Sequence, residues 1–255
     1  PAVPAAPGLL ARALDSAAGI GKAVLGPRGC LLLAGIAAEL RLRCQRRKGL
    51  LSPGSSTAEI RSTLRLVVSA HGYQMFFCPV FNADPHPGNV LAMPDGRVGL
   101  IDLGQCVKFE PVVKLAFAHL VIGLAMPESK ESDAIIVRSI QDMGVQSKNS
   151  NPAFIAFCCR FYLTGLRPER LNQEYFNHMM GLDSIVYQPV AAAMVTRVAN
   201  LLRGVGLLVM ENVDVAKAWS PYAQRWLSEN GGSLDPDPSV PHAGSRDKLE
   251  AKVPA

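Results

Sequence analysis

Three polar side chains stand at a spacing that suits phosphoryl transfer. Asp84 and Asn89 are five positions apart in the run Asn82-Ala-Asp-Pro-His-Pro-Gly-Asn89, and Asp102 opens the tripeptide Asp102-Leu-Gly104 further along. Asp-x-x-x-x-Asn, then a hairpin, then Asp-x-Gly is the order in which kinase sites present their groups. In that chemistry the first Asp orients or accepts the proton of the attacking hydroxyl. The Asn and the later Asp hold magnesium, a cation that prefers oxygen ligands, against nucleotide phosphates. Each piece alone is ordinary, since Asp-Pro and Pro-Asp-Gly are common turn sequences and Asp-Leu-Gly can simply end a strand. The reading rests on their order and spacing taken together.

Positioning these groups requires a stiff loop and a tight ribbon. Two prolines and a glycine in Asn82–Asn89 exclude regular structure there. Val90–Met93 and Val98–Ile101 flank the turn Pro94-Asp-Gly-Arg97, the pattern of an antiparallel hairpin. A four-residue turn pairs Met93 with Val98 and Val90 with Ile101, so Asn89 and Asp102 are expected to meet at the open end, on strands about 4.8 Å apart. Upstream, Ile60, Leu64, Val67 and Val68 fall at helical spacing and predict a helix over 58–70 capped by Ser56 or Thr57. After Pro111 the pattern is helical almost throughout, at about 112–126, 132–143, 152–163, 188–203 and 213–227. The expected class is mostly α with a small β-hairpin, the helices forming a bundle.

Composition narrows the function classes. The chain has 255 residues, 49% hydrophobic and 6% aromatic, enough for a helix-rich core built mainly from aliphatic side chains. Much of the net charge of +5 comes from Arg41, Arg43, Arg46, Arg47 and Lys48, a patch without interleaved aromatics, which argues against a nucleic-acid partner. Cysteines 30, 44, 78, 106, 158 and 159 form no CxxC pair and no zinc spacing, so reduced thiols are expected. The apolar stretch Gly29–Leu40 is shorter than the roughly 20 residues a bilayer span needs. Residues 1–56 read as a poorly defined segment with the Ala/Arg-rich, acid-poor character of organelle transit sequences and some affinity for a membrane surface. Residues 57–227 read as the folded unit, and 228–255 as a polar, disordered tail.

The segment Tyr73–Leu91, which contains Ala-Asp-Pro-His-Pro-Gly-Asn, resembles the signature of UbiB-type (aarF-domain) atypical kinases. Leu201-Leu-Arg-Gly-Val-Gly206 and Trp219-Ser-Pro-Tyr-Ala-Gln-Arg225 resemble that family's closing helices, so the likeness runs over about residues 57–227. The resemblance implies a protein-kinase-like C-terminal lobe with Asp84 as the catalytic-loop aspartate, Asn89 and Asp102 as magnesium ligands, and His86 and Gly88 completing the loop around the nucleotide. His86 is expected to fix that loop by hydrogen bonding, because Asp84 already holds the base position. The implied cofactors are Mg2+ and ATP. The implied setting is isoprenoid quinone biosynthesis in mitochondria or plastids, with a membrane surface, lipid-like quinone intermediates or a protein complex as partners.

Two small departures leave the three ligands untouched: Asn82 stands where many members carry His, and Leu103 where they carry Phe. Asn82 can still bond backbone groups beside the aspartate. The larger departure is upstream, where the Lys-x-Gly-Gln extension, the Ala-rich nucleotide loop and the strand lysine paired to a helix glutamate are not found. Gly19-Ile-Gly-Lys22 fails as a phosphate loop, with Ser16 in place of the first glycine and Ala23 in place of Ser or Thr. The rival reading is therefore a non-catalytic remnant that acts as a binding module in a complex or at a membrane. An aminoglycoside- or choline-type phosphotransferase would share the Asp and Asn spacing but not Asp-Pro-His-Pro-Gly-Asn.

Overall fold

The computed structural model describes residues 56–93 and 96–230. The basic patch, Gly19–Lys22, Gly29–Leu40, Pro94, Asp95 and nearly all of the expected tail lie outside the described residues. Among the described residues there are eight α-helices and three two-stranded sheets, a mostly helical fold as expected.

Helix α1 (Thr57–Phe77) starts on a capping box in which Ser56 Oγ accepts the Glu59 amide at 3.2 Å and the Glu59 carboxylate accepts the Ser56 amide at 2.7 Å. It buries Ile60, Leu64, Val67 and Val68, and then runs seven residues past its expected end at position 70 through His71 and Gly72. Gly72 does not interrupt it because the glycine is a packing device. A Cβ there would lie 2.6 Å from Trp219 Cδ1 and 2.8 Å from Tyr222 Cδ2.

The chain then passes through β1 (Phe81–Asn82), a 3-10 turn (Pro87–Asn89), β2 (Val90–Ala92), β3 (Val98–Leu100) and β4 (Cys106–Val107). Helices α2 (Pro111–Ala125), α3 (Lys130–Asp142) and α4 (Pro152–Leu163) follow, close to their expected ranges. Short α5 (Pro168–Leu171) and α6 (Gln173–Leu182) fall outside the expected helices, although α6 sets Tyr175 and Phe176 against Phe157 of α4. Strands β5 (Gln146–Ser147) and β6 (Ile185–Tyr187) pair beside them. The last helices are α7 (Val190–Leu208) and α8 (Val215–Asn230), the latter carrying Pro221 inside it.

Helices α1, α2 and α8 pack together over the core. Aliphatic side chains dominate it by number, but its largest fully buried members include Trp219, Phe76, Phe81 and Phe117. These form a ring-to-ring series: Phe81–Phe109 at 4.9 Å, Phe109–Phe117 at 5.2 Å, Phe117–Phe76 at 5.5 Å and Phe117–Trp219 at 6.2 Å between centroids. Aromatic pairs at such distances add to plain area burial. The series runs from the middle of the bundle out to β1, so the strand that leads into Asp84 is anchored by the core.

Candidate active site

The loop begins where β1 pairs antiparallel with β4, Phe81 opposite Val107 and Asn82 opposite Cys106. The Ala83 amide continues the ladder by donating to the Gln105 carbonyl at 2.8 Å. This pairing, absent from the sequence reading, lays the Asp84 loop alongside the segment that follows Asp102.

Asn82 is the joint between the two. It is buried, its Oδ1 accepts the Asp84 amide at 2.8 Å, and its Nδ2 donates to the Asp102 carbonyl at 2.9 Å. Its own amide donates to Gln74 Oε1 at 3.2 Å, tying the joint to α1. The expectation that this asparagine bonds backbone groups near the aspartate is met, on two sequence-distant segments at once.

Beyond it the loop turns on His86. The imidazole is buried, its Nδ1 accepts the Gly88 amide at 3.0 Å, and the His86 carbonyl accepts the Asn89 amide at 2.7 Å. An Nδ1 that accepts carries its proton on Nε2, so this histidine is a loop cap in its neutral form. The 3-10 turn presents Asn89 back toward Asp84, with Asn89 Nδ2 3.5 Å from Asp84 Oδ2. Asp84 itself is only 4% exposed.

The hairpin differs from expectation by one residue. Val90 pairs with Leu100, Leu91 with Gly99 and Ala92 with Val98, in place of Val90 with Ile101 and Met93 with Val98. Gly96, at φ +81°, donates its amide to the Met93 carbonyl, and the Met93 amide donates to the Arg97 carbonyl. The left-handed Gly96 closes the turn one residue sooner than a four-residue turn would, so Arg97 joins the pairing opposite Met93 and the register moves by one. At the open end Asn89 therefore faces Ile101, whose amide donates to the Asn89 carbonyl at 3.1 Å. Asp102 lies one residue beyond. Its carboxylate accepts the Gly104 amide at 2.9 Å, and a Cβ at Gly104 would stand 3.1 Å from that same oxygen.

Asp84 and Asn89 are thus in side-chain contact, whereas Asp102 joins them through its backbone and Asn82. Asp84, Asn89 and Asp102 offer carboxylate and amide oxygens, a donor set that suits magnesium. Among the described residues no three His, Cys, Asp or Glu side chains form a ready-made cage.

One residue at the site was missed. Arg197 on α7 reaches Asp84, its Nη2 3.1 Å from Asp84 Oδ1. The sequence offered only a weak signal: α7 holds Arg197 and Arg203 and no acidic residue, so any ion pair they make lies off the helix. Arg203 donates to the carbonyls of Phe161 and Tyr162, leaving Arg197 for the site.

Residues 55–135 match the family model described as the ABC1 atypical kinase-like domain. The protein ACTIVITY OF BC1 COMPLEX KINASE 3, chloroplastic, of Arabidopsis thaliana is 27% identical over 156 residues, covering 58% of this chain and 21% of that protein. An uncharacterized protein of Synechocystis sp. is 28% identical over 79 residues, covering 31% of this chain and 19% of its own length. The Arabidopsis protein ACTIVITY OF BC1 COMPLEX KINASE 7, chloroplastic, is 20% identical over 167 residues, with 63% of this chain and 24% of that protein covered. The chain spans about a fifth of the length of these curated relatives. The matched segment ends inside α3, and the likeness of the closing helices expected up to residue 227 lies beyond it.

Proposed function

From a chain whose residues 55–135 carry an ABC1 atypical kinase-like domain, we propose magnesium- and ATP-dependent phosphotransfer or ATP hydrolysis of the ABC1/UbiB type, with residues 57–227 as the working unit. The observation that carries the proposal is the buried Asp84 in contact with Asn89, on a loop that Asn82 fastens to Asp102. In this reading Asp84 orients the attacking hydroxyl or water, and its burial keeps the carboxylate in one place. Asn89 and Asp102 would hold Mg2+, which supplies neutralisation of phosphate charge when bound. His86 and Gly88 keep the loop in the shape that the nucleotide meets. The names of the Arabidopsis relatives favour a plastid over a mitochondrial setting. A role in isoprenoid quinone metabolism at a membrane surface belongs to the same proposal.

The test is a thermal melt of the full chain with and without Mg2+ and ATP. The wild type should melt at higher temperature with both present, and Asp102→Asn should abolish the rise. An undiminished rise in that variant contradicts the metal assignment. No rise in the wild type favours the binding-module reading.

A further inference from the structure

The carboxylate that would orient the acceptor has to work beside a phosphoryl group that is also anionic, and the two repel unless a cation stands between them. The loop cannot supply that cation. Between Asp84 and Asn89 it has Pro85, His86, Pro87 and Gly88, and the imidazole spends Nδ1 as an acceptor for the Gly88 amide.

The cation that does reach the site comes from 113 residues away, on α7. Arg197 gives Nη2 to Asp84 Oδ1 at 3.1 Å, but its Nε is buried and meets no acceptor among the described residues. The Arg197 side chain is 38% exposed against 6% for Asp84, so solvent reaches the arginine while the carboxylate is covered. A guanidinium has five N–H donors in a planar fork, enough to hold a carboxylate on one edge and a phosphate on another.

We infer that Arg197 is the phosphate-contacting cation of this site, bridging the Asp84 carboxylate and the terminal phosphoryl oxygens of a bound polyphosphate chain. The inference rests on the phosphotransfer reading and adds to it a named contact. It also gives α7 a part in the chemistry, as the helix that delivers charge to a loop lacking its own.

The experiment is 1H–15N NMR of the full chain, observing the arginine Nε–H signals, with Arg197 identified by the signal missing from the Arg197→Lys spectrum. The probe is inorganic tripolyphosphate without metal. The Arg197 Nε–H signal should shift saturably, and Arg197→Gln should weaken binding about tenfold or more, as loss of a charge-assisted contact does. Arg138→Gln, which removes only a surface pair with Asp142 on α3, should bind as wild type. If the Gly88 and Gly104 amides shift while Arg197 Nε–H stays still, Arg197 is a structural clamp, the inference fails and the phosphotransfer reading survives. If no signal of the site moves, the inference fails, and the phosphotransfer reading is decided separately by the melt with Mg2+ and ATP. The wild-type spectrum decides even if Arg197→Gln fails to fold.

Discussion

Removing the amide of Asn82 tests whether the loop and the Asp102 segment are one mechanical unit. In Asn82→Ala the Asp84 amide loses its acceptor in a buried position, at a cost of about 1–3 kcal/mol. The Asp102 carbonyl loses its donor too, but Asp102 is exposed and water can replace the bond, so about 0.5–1.5 kcal/mol is at stake there. Together the loss is about 3 kcal/mol, which for a domain of this size lowers Tm by about 6–12 °C. Chemical denaturation gives the free energy, and hydrogen exchange should show the Asp84 amide losing protection. Asn82→His, which puts back a ring able to accept and donate, should recover about half of the loss. A change within about 0.5 kcal/mol for Asn82→Ala, with Asp84 protection intact, would refute the idea that this side chain joins the two segments.

Other consequences follow from packing and ionisation. Gly72→Ala should destabilise by about 1–3 kcal/mol in a urea titration, because its Cβ meets the fully buried Trp219 and cannot be accommodated by a surface shift, and overpacking outweighs the helix preference of alanine. His71 is fully buried with Nδ1 on the Val67 carbonyl, and burial holds its imidazole below the usual histidine range. The unfolded chain therefore binds the proton more readily, and stability should fall as pH drops below about 6.5, a slope that His71→Leu removes in a Tm-versus-pH series. Burial alone would raise the Asp183 carboxyl, but the backbone amides of Asn151, Asn149 and Ser184 outweigh it and draw it down to about 2. Its contribution is present above the ordinary carboxylate value of 3.8 and is lost between there and about pH 2, so Asp183→Asn should flatten the acid end of the same series.

The helices were legible where an apolar stripe meets the core. Ile60, Leu64, Val67 and Val68 read correctly as one face of α1, and α2, α3 and α4 fell within a few residues of their places. In α6 the apolar residues Tyr175, Phe176, Met179 and Met180 do stand at helical spacing, but ten residues give barely more than two repeats of the pattern, and the helix went unread. Gly72 shows the opposite limit: a glycine that looks neutral or disruptive in the sequence is demanded by a tryptophan on α8, brought up by the fold from far along the chain.

That Asp84 and Asn89 lie side by side was legible from their spacing, because local chain geometry places them. The hairpin register was not legible, since a left-handed Gly96 closes the turn one residue early and moves Asp102 past the pairing end. The pairing of β1 with β4 and the approach of Arg197 depend on how the bundle closes, and short-range patterns do not encode them. Asn82 lies between these cases. Its capacity to bond was readable, while the identity of its second partner required the fold.

The central proposition is that the Asp84 loop and the Asp102 turn form one nucleotide–metal site. Replacing Mg2+ by paramagnetic Mn2+ with ATP, and following amide signals of the full chain, tests it most directly. Signals of Asn89 and of Asp102 to Gly104 should broaden first in the wild type and stay sharp in Asp102→Asn. Broadening that begins elsewhere, or that persists unchanged in the variant, would contradict it.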